Sequence, residues 1–194
     1  MLIIQRSQLK AASHSMAKGD TRYYLNGLLI QSNNTGQVAI VSTDGHRLFA
    51  GLIVKEGFDG PSDLSVIIPA DVVKKECKGK GAIILRQHAY QWQLGDTVFT
   101  PVDGTFPNWQ KVTADVYSND DTSPGQFNCT YLADAQKALG DWCGISYVAV
   151  QHHGQHTALL ATESAYVLVM PMRVSESDTR PFAWNVQQVV AVAA

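Results

Sequence analysis

Charge is scarce in this chain. Only 16% of its 194 residues are Asp, Glu, Lys or Arg, and the formal net charge is −2. That argues against a protein that holds nucleic acid by overall positive charge, although a local basic face remains possible. Cysteine is scarce too. Cys77, Cys129 and Cys143 are odd in number and show no CxxC spacing, so they read as reduced thiols in a cytoplasm and not as a disulfide framework. No apolar run approaches the roughly 18 residues of a membrane span. The opening Met1–Ile4 run stops at Gln5 and Arg6, so a secretory signal is not expected. Catalytic strings are missing as well. There is no GxSxG, and Gly79-Lys80-Gly81 lacks the spacing of a phosphate loop.

What is present is a β-rich pattern with a few short helices, in a composition that is 45% hydrophobic and therefore globular. Leu2-Ile3-Ile4 reads as a strand, Gln8 to Lys18 as a helix, and Tyr23 to Gln31, Gln37 to Thr43 and Arg47 to Lys55 as three strands. The order then recurs. Leu64 to Ile68 reads as a strand, Pro69 to about Lys78 as a helix, and Ala82 to Arg86, Ala89 to Leu94 and Asp96 to Pro101 as strands. A loop carries Gly104 to Trp109. A polar, turn-rich stretch at 117–125 reads as a linker. After it the order starts a third time: strand Gln126 to Cys129, helix Tyr131 to Leu139, strands Ser146 to His152, Thr157 to Thr162 and Tyr166 to Arg173. The fold class is thus α+β, built from β-α-β-β-β half-units of about 50 to 60 residues each. Residues 1–116 hold two such units and 126–174 a third. Residues 175–194 form a tail outside the repeat. A lone half-unit leaves one face of its sheet and of its helix uncovered, so the third lacks a mate.

Three strings far apart in the chain carry more than this pattern. They are Asp20-Thr21-Arg22-Tyr23-Tyr24-Leu25-Asn26-Gly27, Thr43-Asp44-Gly45-His46-Arg47-Leu48 and Tyr166-Val167-Leu168-Val169-Met170-Pro171-Met172-Arg173. Val66-Ile67-Ile68-Pro69 and Asp103-Gly104-Thr105-Phe106-Pro107-Asn108-Trp109 accompany them in order. In this combination the chain resembles the bacterial replicative sliding clamp, the DNA polymerase III β subunit family, in shortened form. The resemblance runs from about Met1 to Val174. It makes 1–116 the clamp's middle domain and 126–174 the second half of its last domain. The first domain and the first half of the last have no counterpart.

The resemblance implies the clamp fold, no catalysis and no cofactor or metal. It also implies a hydrophobic groove that takes short extended peptides from the replicative polymerase and other clamp-binding-motif proteins. The matching positions are Leu25, Thr43, Gly45, His46, Arg47, Leu48, Val169, Met170, Pro171, Met172 and Arg173. Methionine adapts to varied apolar side chains, and Arg47 and Arg173 could hold polar or carboxylate groups on the rim. One departure is Ala114, where the family pattern has proline, which would loosen a wall of the groove. In clamps the helices line a central hole around duplex DNA. Arg6, Lys10, Lys18, Arg22, Lys74, Lys75, Lys78, Lys80 and Lys137 are the DNA-facing candidates, making non-specific, salt-sensitive phosphate contacts.

The odd half-unit bears on assembly. A clamp ring contains six like domains, so chains of one and a half domains close it as a tetramer through two kinds of isologous contact. A clamp loader is a further possible partner. A rival reading is a decoy or regulator that binds clamp-binding motifs without encircling DNA. A weaker one is an enzyme or metal site built on His152, His153 and His156, for which no cysteine or carboxylate completes a tetrahedral set.

Overall fold

The computed structural model describes residues 1–54, 58, 60–88, 91–116, 125–152 and 154–173. The expected linker, apart from Gly125, and the expected tail lie outside these residues, as do Lys55 and His153.

The first half-unit is β1 (Leu2–Gln5), α1 (Arg6–Ser13), β2 (Gly27–Ser32), β3 (Val38–Thr43) and β4 (Arg47–Val54). The second is β5 (Ser65–Pro69), α2 (Ala70–Glu76), β6 (Ala82–His88), β7 (Gln91–Leu94) and β8 (Thr97–Phe99). After α3 (Trp109–Val116) comes the third, with α4 (Cys129–Cys143), β9 (Val150–Gln151), β10 (Ala158–Ala161) and β11 (Ala165–Val169).

The first two half-units exchange their leading strands. Strand β1 pairs antiparallel with β6, with Gln5 opposite Ala82, and β5 pairs antiparallel with β2, with Pro69 opposite Gly27. Each sheet is therefore finished by the other unit. One sheet runs β1-β6-β7-β8, and the other runs β5-β2-β3-β4-β11-β10-β9, because β11 docks on β4 with Leu168 opposite Leu48. The wider sheet is covered on both faces, which explains continuous apolar runs such as Leu28-Leu29-Ile30 and Ile40-Val41. Leu28, Ile30, Ile40, Val167 and Val169 pack with α1, α2 and α4. The alternate residues Leu29, Val41, Leu48 and Leu168 face the other way, under Trp109, Val112 and Val116 of α3.

Helix α1 packs between α2 and α4, so the three helices form one layer. A partly buried ion pair ties the two units. Arg6 Nη1 lies 3.2 Å from Glu76 Oε2 and also donates to the Glu76 carbonyl, while Thr97 Oγ1 donates to Glu76 Oε1 over 2.5 Å. At β3, Ser42 Oγ donates 2.5 Å to the Ala12 carbonyl near the end of α1.

Several expected boundaries move, each for a local reason. Helix α1 stops at Ser13 instead of Lys18. The strand expected from Tyr23 begins only at Gly27, because Tyr23–Leu25 form a 3₁₀ turn. Trp109 does not end a loop. Asn108 Oδ1 accepts from the Lys111 backbone N–H at 3.0 Å and starts a helix there. With alanine at 114 that helix continues to Val116, where a proline would remove a donor and clash with the preceding turn. Ala114 thus lies within α3, on an exposed position of the helix. Helix α4 is longer than its expected Tyr131–Leu139. Asn128 caps it by accepting from Thr130 N at 2.9 Å, and Gly144 ends it at φ +76°. Strand 126–129 does not form, β9 shrinks to two residues, and Met170–Arg173 run on past β11 without strand pairing.

Candidate functional site

The turn between β3 and β4 organises the site. Asp44 Oδ1 accepts from the backbone N–H groups of His46 (2.9 Å) and Arg47 (3.0 Å). Thr43 Oγ1 donates to the Arg47 carbonyl at 2.7 Å and accepts from Gly45 N at 3.0 Å. Asp and Thr at these places hold a tight turn through their own backbone. Gly45 sits at φ +89°, and a Cβ there would lie 2.9 Å from the Arg22 guanidinium. Only glycine suits both the conformation and the close approach.

Arg22 is fixed in turn by Asp20, with Nη2 to Oδ2 at 2.8 Å and Nε to Oδ1 at 3.0 Å. These hydrogen bonds lower the Asp20 carboxyl to about 2. Arg22, placed by the sequence among DNA-facing residues, therefore stands beside Gly45.

Arg47 is buried, not a rim cation. Its Nε meets Asp44 Oδ2 at 3.0 Å, its Nη1 meets Asp134 Oδ2 at 2.7 Å, and its guanidinium lies 4.6 Å from the Tyr131 ring centroid. His46 stacks on the same ring at 6.2 Å. The Arg47 hydrogen bond holds Asp134 below the usual carboxylate range against its partial burial, and Lys137 adds to the effect. With two carboxylates on it, Arg47 joins the turn to α4 and has no charge left for an incoming carboxylate.

Above this turn lies an apolar cavity of about 180 Å³. Its floor is Leu25, Leu48 and Leu168, its β3–β4 end is Thr43, Gly45 and Arg47, and Arg22 and Met170 flank it. Pro107, Trp109 and Val112 close the side towards α3. Trp109 is held upright by its Nε1, which donates 2.8 Å to Gln31 Oε1. The Met170 N–H bonds the His46 carbonyl at 2.8 Å, which joins the third string to the second.

The cavity gathers Leu25, Thr43, Gly45, Arg47, Leu48 and Met170 from the expected set. It leaves out Val169, which is fully buried on the helix side of β11, since Leu168 takes the groove-facing position. His46, Pro171, Met172 and Arg173 do not line it; His46, Met172 and Arg173 are exposed. Arg22, Pro107, Trp109, Val112 and Leu168 line it although the sequence alone did not assign them there. For Leu168 the period of two along Tyr166–Met170 was the available signal. For Trp109 and Val112 the signal was an i, i+3 apolar pair.

The basic candidates divide. Arg6 pairs with Glu76, Lys10 with Asp141 at 2.8 Å, and Lys137 with Asp134 at 3.1 Å. Asp141 also meets His14 Nε2 at 2.8 Å. Its burial opposes ionisation, but the hydrogen bonds from Lys10 and His14 outweigh this and keep its carboxyl below the ordinary range. Lys18, Lys74, Lys75, Lys78 and Lys80 are exposed and make no ion pair among the described residues.

Comparison with known proteins follows the same lines. The family model described as "DNA polymerase III beta subunit, central domain" matches residues 4–108. The beta sliding clamp of Pseudomonas aeruginosa is 35% identical over 115 residues, covering 55% of this chain and 31% of the relative. That of Escherichia coli K12 is 34% identical over 112 residues, covering 54% and 30%. The chain thus spans about a third of the length of these curated relatives. A crystal structure of the Pseudomonas aeruginosa DNA polymerase sliding clamp superposes over 89% of this chain and 67% of its own, with a TM-score of 0.66 at 20% identity. The overall architecture is accordingly the sliding-clamp fold. Since the family model spans more than half of the chain, we conclude that this protein belongs to the DNA polymerase III β subunit family.

Proposed function

We propose that the chain is a sliding-clamp-like scaffold. It self-associates into a ring around duplex DNA, with four copies supplying the twelve half-units, and a clamp loader would open such a ring. Extended peptides with apolar ends, from the replicative polymerase and other clamp-binding-motif proteins, dock around Leu48, Trp109 and Met170. The role is non-catalytic, because tethering requires no bond to be made or broken. The observation that carries this reading is the apolar cavity walled jointly by the separate strings around Leu25, Thr43–Leu48 and Leu168–Met170, with α3 closing its side. Flexible methionine, a rigid indole and a leucine floor suit capture of an extended peptide in a largely pre-formed groove.

Fluorescence anisotropy with a labelled clamp-binding peptide tests the groove. Binding is expected for the unaltered chain and its loss for Leu48→Asp. Equal binding by both proteins would end the groove reading. Retention on closed-circular but not linear DNA tests encirclement.

The decoy reading finds support in the ion pairs of Arg6, Lys10 and Lys137, which remove three cations from the helix layer. It predicts peptide binding with no retention on circular DNA. It also predicts no change on charge reversal at Lys74, Lys75 and Lys78.

A further inference from the structure

Of the strands read from the sequence, one does not form among the described residues and one shrinks to two residues, and both belong to the third half-unit. Residues 126–128 lie ahead of α4 outside any sheet, although in the other two units the same place is taken by β1 and β5. The stretch Ser146–Ala149 also stays out of the sheet, so that β9 keeps only Val150 and Gln151 at its end. In the complete pair these are the two segments that pair with each other, always between units: β1 with β6 and β5 with β2. A half-unit cannot supply both sides of this exchange to itself.

No mate lies where the repeat order would put one. The stretch between α3 and Gly125 is eight residues, 117–124, against about 50 for a half-unit. The uncompleted edge is also apolar. Val150, 44% exposed, lies on β9, which has no outer neighbour among the described residues, and Tyr147, 85% exposed, lies in the unpaired stretch just ahead of it. Such an edge is a template for another strand.

We infer that this edge is a docking surface for a second copy of the chain, and that the two third half-units exchange leading segments across a two-fold axis to build one composite domain. Residues 126–128 of each copy add to the sheet ahead of β9 in the other. Both internal exchanges place the residue before the helix opposite the first residue of the meander: Gln5 with Ala82, and Pro69 with Gly27. The same register sets Asn128 opposite Ser146 and Phe127 opposite Tyr147 of the other copy. The segment already makes one bond of this arrangement: the Gln126 carbonyl accepts from the Met172 N–H at 2.7 Å, as the Ile67 carbonyl at the same place in β5 accepts from the Val102 N–H at 3.0 Å. The contact is isologous, so it closes on itself and leaves no growing edge.

The inference refines the self-association in the function proposed above and is independent of the groove. Two single-cysteine chains test it, Phe127→Cys and Tyr147→Cys, each with Cys77, Cys129 and Cys143 replaced by serine. Mild oxidation of the mixture is expected to give a disulfide-linked dimer, with at least tenfold less from either chain alone. Circular dichroism and peptide anisotropy on the same samples report whether each chain is folded. Folded chains that bind peptide but yield no mixed dimer would overturn the exchange and leave the groove standing. A mixed dimer from chains that do not bind peptide would support the exchange and remove the groove. Should either variant fail to fold, Asn128→Cys mixed with Ser146→Cys replaces the pair. A mixed dimer from that pair again supports the exchange, and its absence again overturns it.

Discussion

In the first half-unit the residue two places before the helix is Ile4, and in the second it is Ile68; both are wholly buried. In the third the same place holds Phe127, which is larger and yet only half-buried. The contrast extends along these elements. Leu2, Ile83 and Leu85 of the exchanged sheet are 2–6% exposed, whereas Ile145 and Val148 remain partly covered and Tyr147 stands in solvent. The residue types are equally apolar in all three units. The difference lies in the neighbour. A half-unit of this fold carries its own helix and meander but borrows the leading strand of its mate, and burial follows from whether a lender stands among the described residues.

The largest effect should come from comparing the equivalent apolar positions. Ile4→Ala removes a fully buried side chain and is expected to destabilise by about 3 kcal/mol. Phe127→Ala should cost about 1 kcal/mol in dilute solution, where the position is half-solvated, and more as protein concentration rises and a second copy covers it. Urea titrations at two concentrations separate these outcomes. Equal, concentration-independent costs would erase the contrast between complete and incomplete units.

The groove should respond next. It sits where the first half-unit and α3 meet β11, so it draws on all three. Trp109→Ala opens the α3 wall and is expected to weaken peptide binding by about tenfold or more, close to 1.4 kcal/mol. Met170→Ala should act in the same direction by less. If Trp109→Ala binds as well as the unaltered chain, α3 is no wall of the site.

Acid should act first on the lone unit. Helix α4 is tied to the first half-unit by Asp134 with Arg47 and by Asp141 with Lys10 and His14. Both carboxyls are lowered in the folded chain. Their contribution is therefore complete above the ordinary carboxylate value near about 4 and is lost as pH falls through the lowered folded values. Melting temperature should drop over that window, and Asp134→Asn should flatten the drop, with a change on the order of 1 kcal/mol for so partly exposed a group. A pH profile unchanged by Asp134→Asn would detach α4 from this account.

The smallest effect concerns DNA. Lys74 and Lys75 of α2 are exposed without an ion pair among the described residues, whereas Lys137 of α4 is paired. Reversing Lys74 and Lys75 should reduce the salt slope of DNA retention by about one per lysine. Lys137→Glu should change it less. The opposite ranking would place the lone unit's helix, and not α2, against the phosphates.

Much of this was legible in the chain. Alternating apolar runs and turn residues placed nearly every strand of the first two units, because a strand with a partner realises its pattern. The strings around Leu25, Leu48 and Met170 led to the cavity. What stayed hidden depended on three-dimensional context. Val169 and Leu168 are both apolar, and only the register of β11 on β4 decides which one enters the groove. Arg47 reads as a rim cation until Asp134, far along the chain, is seen to neutralise it. Helix α3 was hidden because its start depends on one Asn108 cap and its length on alanine at 114. The stretches at 126–129 and 146–149 carry a sound local pattern; what they lack among the described residues is a partner strand, which no local pattern can supply.

Sedimentation equilibrium on the unaltered chain over a range of micromolar concentrations tests this most directly. The account predicts an even multiple of the 21.2 kDa chain, reaching four copies as the ring closes. A folded species that stays at 21.2 kDa at every concentration would contradict it.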